Sequence, residues 1–169
     1  DFVSIIRPMN GYYPMKNTVA SLLNQQAQCV LATLADKELA LHLMAYAIST
    51  DLDEIYLASL ENTQKVKNMR ANPNVTCLWD NRTGNNKDHT KGLAMSGFGK
   101  ARELTGDSAR AAQHLLLQRN TTLEPLLSDP SVVIFAINID RYQWVQGYTQ
   151  VVIYEPEKIN STSSKGVTP

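Results

Sequence analysis

Apolar and polar residues alternate along this chain in short stretches of two periods, and the period decides the element. Residues 29–35 (Cys-Val-Leu-Ala-Thr-Leu-Ala) form a mostly apolar run that reads as a strand. The turn 35–38 (Ala-Asp-Lys-Glu) folds it back onto a second strand over 39–48, a hairpin. A period of two puts Leu39, Leu41, Leu43, Ala45 and Ala47 on one face of that second strand. Ala40, His42, Met44, Tyr46 and Ile48 take the other face. Residues 49–53 make the next turn, 54–59 a third strand and 75–80 a fourth. The long strand predicted over 92–105 contains Gly97 and Gly99, where a bend, a bulge or a close approach is expected. Three strands close the pattern, at 132–139, 142–146 and 150–154, broken by Asp140-Arg141 and by residues 147–149.

The helical period appears three times, with a shorter helical segment after the third. Residues 17–27 carry Val19, Leu22 and Leu23 on one face behind an Asn cap, and 62–72 carry Val66 and Met69 before an Asn72-Pro73 stop. Residues 107–119, capped by Thr105 or Asp107, turn Ala111, Ala112, Leu115 and Leu116 inward, and a shorter helix spans 123–127. Residues 80–91 are polar throughout and read as an exposed loop. Many short strands with two or three helices suggest a small, mainly β (α+β) fold: an antiparallel barrel with short helices plugging its ends. A single domain is expected over 1–159, followed by a small polar tail at 160–169. The alternating units of a doubly wound sheet are absent, as are the glycine fingerprints of dinucleotide folds and P-loops.

Composition narrows the function. Across 169 residues, 16 Lys and Arg balance 16 Asp and Glu, so no general positive field is available for nucleic acid or membrane phosphate. Any bound anion must be held by a few placed groups, and neutrality is permissive for an oligomer. The longest apolar run, 132–139 with Asn138 inside it, is too short to span a bilayer. Without a basic leader and cleavage site the chain reads as a cytoplasmic protein. Asn-x-Ser/Thr triplets begin at Asn74, Asn81, Asn120 and Asn160, and they would matter only in a secreted protein. Cys29 and Cys77 lie in apolar runs and read as buried hydrophobes.

The most informative stretch is 55–73, a strand entering a helix whose start carries Ser59, Thr63, Lys65 and Lys67. Unpaired N–H groups, the positive end of the helix dipole, hydroxyls and a lysine make a phosphate cradle. The same residues also suit an ordinary capped helix with a solvated basic face. His42 shares a strand face with Met44 and Tyr46; it reads either as a pocket residue or as a hydrogen-bonded structural histidine. His42, His89 and His114 lack metal-ligand spacing, neither cysteine has a nucleophile's polar context, and no Gly-x-Ser-x-Gly elbow occurs. Chemistry here is expected to come from a bound cofactor.

Four segments recur in a familiar order: residues 27–34 with their Leu-Ala-Thr core, His42-Leu43-Met44-Ala45-Tyr46, 55–73 with Ser59 and Thr63-Gln64-Lys65, and 94–101 with Gly97. Together they resemble the pyridoxamine 5'-phosphate oxidase-like superfamily, the FMN-binding split barrels. The resemblance covers roughly residues 17–103 and implies an antiparallel split β-barrel flanked by short helices. It further implies a homodimer with FMN at the subunit interface, and a flavin oxidoreductase passing a hydride or electrons through N5 to a small molecule. By the same resemblance Ser59, Thr63, Gln64 and Lys65 would hold the phosphate. His42, Leu43 and Met44 would lie along the flavin, and Lys91 or Gly92 would approach from the other protomer. The chain departs from the oxidases proper: it has no Arg-Leu-x-Pro-like end, and His42 and Ala47 stand where they carry basic side chains. No histidine follows His114, unlike haem-degrading relatives with a histidine-bearing C-terminal segment. A flavin-binding or sensing module without turnover, or the same fold holding a deazaflavin or haem, is the alternative reading.

Overall fold

The computed structural model describes residues 4–6, 12–146 and 150–158. The turn expected at 147–149, the tail at 160–169 and the Asn160 triplet lie outside the described residues. In chain order the strands are β1 (Ser4–Ile6), β2 (Gln28–Ala35), β3 (Glu38–Ala45), β4 (Ala47–Ile48), β5 (Glu54–Leu60), β6 (Asn74–Asp80), β7 (Ala94–Leu104), β8 (Val132–Gln146) and β9 (Gln150–Tyr154). The helices are α1 (Tyr12–Gln25), α2 (Gln64–Ala71), α3 (Asp88–Lys91), α4 (Gly106–Arg119) and α5 (Glu124–Leu127), with a 3-10 turn, Thr121–Leu123, before the last.

The hairpin forms where the pattern places it. β2 and β3 pair antiparallel from Ala35↔Glu38 to Gln28↔Ala45, and Asp36 supplies the positive φ (52°) of the two-residue turn. The hydrogen-bonded order is β1-β9-β8-β7-β6-β2-β3, with β5 on β8 and β4 on β5. The pairing is antiparallel except between β1 and β9. The sheet curls because β8 serves two neighbours along one edge: its first half pairs β5 (Val132 to Asn138) and its second half pairs β9 (Tyr142 to Gln146). Two halves sharing one long strand make an antiparallel split barrel, mainly β with short helices around it.

The structure corrects several expectations. Asp140-Arg141 does not break the chain into two strands; β8 is continuous over 15 residues. Phe98 pairs Arg141 while Gly99 pairs Ile139, so Asp140 is the extra residue of a bulge. Conversely, the strand expected at 39–48 is interrupted at Tyr46, where the chain leaves β2 and joins β5. The Tyr46 hydroxyl donates to Leu23 O (2.6 Å) and Gln26 O (2.9 Å), an anchor that pins the crossover beneath α1. Helix α1 begins before Asn17, and the polar loop contains the single turn α3. On α4 only Ala112 and Leu116 of the expected inner face are buried; Ala111 and Leu115 are exposed. Thr105 is at the cap position of α4, but its side chain makes no cap bond.

The core lies inside the curl. Tyr46, Trp79, Tyr142 and Tyr154 run through it ring to ring, with centroids 5.8, 6.0 and 6.3 Å apart. Gly97 is the close approach expected of it, since a Cβ there would sit 2.8 Å from the Trp79 ring. Val19, Leu22 and Leu23 of α1 and Val66 and Met69 of α2 close this core. Ala112 and Leu116 of α4 join a second cluster with Ala47, Ala58 and Ala136. Arg119, at the end of α4, reaches over the Tyr46 ring and donates to Gln26 O (2.9 Å), tying α4 to the end of α1.

Candidate functional site

A cleft of about 370 Å³ opens where β3, β5, α2 and α5 meet, a volume in the range of small-molecule sites. One wall is polar. Strand β5 ends at Leu60 and a short turn leads into α2, whose cap residue Thr63 has extended backbone (φ −88°, ψ 154°) but makes no side-chain cap bond. The first N–H groups of α2 therefore keep their donors, at the positive end of the helix dipole. Thr63 turns its hydroxyl to Leu60 O (3.0 Å) and to Ser59 Oγ (2.9 Å). Ser59 is buried, and both hydroxyls line the cleft. Lys65 lines it too, half-buried, and forms no ion pair among the described residues.

The remaining walls are largely apolar: Leu43, Met44 and Ala45 from β3, Ala58 and Leu60 from β5, and Leu123 and Leu126 from the segment around α5, with Gln28 at one side. The arrangement suits a ligand with an anionic end and a flat or greasy body. Lys65 and the uncapped amides would neutralise the first, and the leucines would exclude water from the second.

The structure thus gathers five residues singled out in the sequence, Leu43, Met44, Ser59, Thr63 and Lys65, around one cleft. Gln64 and His42 are not on its lining. Gln64 donates to Asn68 Oδ1 (2.7 Å), Asn68 donates to Thr33 Oγ1 (2.9 Å), and that hydroxyl lies 3.0 Å from His42 Nε2. Burial first, and the Lys65 charge second, hold the His42 pKa below its ordinary value of 6.5. Lys91 is elsewhere, exposed on α3, where Asp88 accepts from Thr83, Gly84 and Asn85 amides and organises the loop. Leu123 and Leu126 were visible in sequence only as a helix, because what they face is fixed by the fold. Asn68 carried one sequence signal, a polar residue beside the apolar pair Val66 and Met69. Among the described residues no group of three or more His, Cys, Asp or Glu is placed to hold a metal ion. No helix among them is long and apolar enough to cross a membrane.

Leu43 also begins a second feature. With Leu41 and Leu39 it stands on the outward face of β3, 65, 70 and 72% exposed, opposite Val30, Ala32 and Leu34 of β2. An apolar stripe two strands wide therefore runs from the cleft along the strand that ends the sheet path.

No protein-family model matches the chain, and no curated protein matches it in sequence. Solved structures do match. A haem-binding protein from Mycobacterium smegmatis superposes with a TM-score of 0.71 at 15% identity, over 89% of this chain and 59% of that longer one. General stress protein 26 from Bacillus anthracis str. Sterne gives a TM-score of 0.61 at 20% identity, over 78% of this chain and 93% of that one. A candidate pyridoxamine 5'-phosphate oxidase from Listeria innocua also gives a TM-score of 0.61, at 16% identity, over 78% of this chain and 98% of that one. At such identities the likeness is one of architecture: the chain shares the split-barrel fold of these structures.

Proposed function

We propose that the cleft binds flavin mononucleotide and that the protein is an FMN-dependent oxidoreductase, assembled as a homodimer. The observation that carries this reading is the polar wall. Uncapped α2 amides, the Ser59 and Thr63 hydroxyls and an ammonium without a carboxylate partner among the described residues converge on one end of an otherwise apolar cleft. A phosphate monoester is the ligand end that uses all of them at once. In a chain of zero net charge no general field can substitute for that local set.

Ser59, Thr63 and Lys65 would hold the phosphate, with Gln64 contributing its backbone amide rather than its engaged side chain. Leu43, Met44, Leu60, Leu123 and Leu126 would line the body of the cofactor and keep water from it. Bound there, the flavin would accept and pass a hydride or electrons at N5, the chemistry the protein's own side chains lack. The exposed stripe Leu39, Leu41 and Leu43 supports the reading of a second copy of the chain against β3, which would put the cleft beside a subunit interface. In that assembly Lys91 would come to the site from the partner.

Haem is the second reading, favoured by the likeness to the haem-binding protein from Mycobacterium smegmatis. Among the described residues the cleft lining has no His, Cys or Tyr, and Met44 and Lys65 are the side chains there with a donor atom for haem iron, so the lining fits haem less well than a phosphate. A deazaflavin would use the same phosphate wall, and a binder without turnover needs no acid or base beyond Lys65. The visible spectrum of the purified protein and a titration with FMN separate these. A flavin spectrum, or saturable FMN binding by colourless protein, supports the proposal; a haem band or no uptake of FMN contradicts it. NAD(P)H consumption above that of free FMN then separates an oxidoreductase from a binder.

A further inference from the structure

Beside the cleft runs a line of polar side chains through the packed layer between α2, β2 and β3: Gln64, Asn68, Thr33 and His42. Thr33 and Asn68 are 0 and 2% exposed. Apolar residues of similar shape could fill such positions at little or no cost in stability, whereas buried polar groups demand partners. The line has a direction. Gln64 donates to Asn68 and Asn68 donates to Thr33 Oγ1, which leaves the Thr33 proton free to be given to His42 Nε2, 3.0 Å away. With Nε2 accepting that proton the ring carries its own on Nδ1, whereas an imidazolium would donate to Thr33 Oγ1 and deprive the threonine proton of Nε2 as its acceptor. Leu31, opposite the ring on β2, and Thr33 carry no charge, and the ammonium of Lys65 on α2 bears on the ring electrostatically.

We propose that Thr33 and Asn68 are positioning residues that hold His42 neutral with its proton on Nδ1, and that an anion bound at Lys65 is taken up together with a proton on His42. This rests on the reading of the α2 end of the cleft as an anion site. The sign follows from the charges. With the cleft empty, the Lys65 ammonium disfavours a positive ring; a bound anion offsets that charge and favours it. The ring's pKa is therefore higher in the bound than in the free protein. Between the two values binding takes up a proton, and affinity rises as pH falls.

The test is ring-nitrogen NMR of the ligand-free full chain, titrated across about pH 5–8 with and without sulfate, an anion whose charge is constant there. The expected result is an Nδ1-protonated neutral ring whose titration midpoint moves up when sulfate is added, with sulfate affinity rising as pH falls. In His42→Gln that rise is lost. Thr33→Val loses the fixed tautomer and Thr33→Ser restores it, a rescue that a merely space-filling threonine would not require. An Nε2-protonated ring in the wild type, or a midpoint that sulfate leaves unmoved, overturns the proposal even if Thr33→Val does not fold. FMN binding without any response of His42 would overturn this inference and spare the flavin reading. A sulfate response without FMN binding would do the reverse.

Discussion

Lys65 is a half-buried ammonium beside two hydroxyls and a bare helix end, with no carboxylate paired to it among the described residues. Its removal should be felt by an anion more than by the fold. Lys65→Ala is expected to weaken FMN binding by about 1–3 kcal/mol, read by flavin fluorescence titration, with little change in the unfolding midpoint. Arg70, further along α2, does the opposite kind of work. It donates to Glu103 of β7 (2.8 Å) and to Glu61 (3.2 Å), and this hydrogen bonding holds the Glu103 carboxyl below its ordinary pKa. A carboxyl with a lowered folded pKa contributes stability above its unfolded value, and loses it as pH falls through the folded value. Arg70→Met should therefore lower the denaturation midpoint at neutral pH, with the gap from wild type closing in acid. A constant gap would remove the ion pair from the account. Ser59, Thr63 and Lys65 were legible in sequence because a helix start is a local pattern. The partners of Gln64 and His42 were not, because Thr33 lies 35 residues from Asn68 and only the fold brings β2 against α2.

Among the elements, β7 and β8 do most to shape the barrel. The bulge at Asp140 lets β8 turn from β5 to β9, and that turn separates the two halves of the barrel. Gly99 makes the bulge possible: a Cβ there would lie 2.3 Å from Asn138 O, a backbone atom that cannot swing aside. Gly99→Ala is expected to cost about 1–3 kcal/mol in chemical denaturation, and an unchanged midpoint would mean the ladder can shift to accept it. The sequence signalled irregularity at Gly97 and Gly99, yet the same pattern read Asp140-Arg141 as a break. Exposed polar residues mark a turn or a bulge equally well, and only pairing with β7 decides. Tyr46 misled in the other direction. It continues the β3 alternation, but its hydroxyl is captured by carbonyls at the end of α1, and the strand changes partner there. The parallel pairing of β1 with β9 joins the two ends of the described chain, a contact that no local pattern announces.

For the molecule as a whole, the question is what covers the outward face of β3. Leucines at 39, 41 and 43 follow a strict alternation, and they are the ones the fold leaves in water while Met44 is buried on the other side. A self-complementary contact along this stripe would remove the apolar surface and set two clefts near one interface. Leu41→Lys should then weaken self-association tenfold or more, about 1.4 kcal/mol per decade, in sedimentation at a series of concentrations. A wild-type protein that stays monomeric throughout would contradict that assembly without touching the phosphate wall. The balanced charge of the chain makes that wall the decisive feature, because no net positive charge draws an anion to the cleft. The most direct measurement is a titration of the purified full-length protein with FMN, followed by flavin absorption and fluorescence. Saturable binding of one flavin per chain, weakened in Lys65→Ala, is the predicted result. A wild-type protein that leaves free FMN unchanged would contradict the account at its centre.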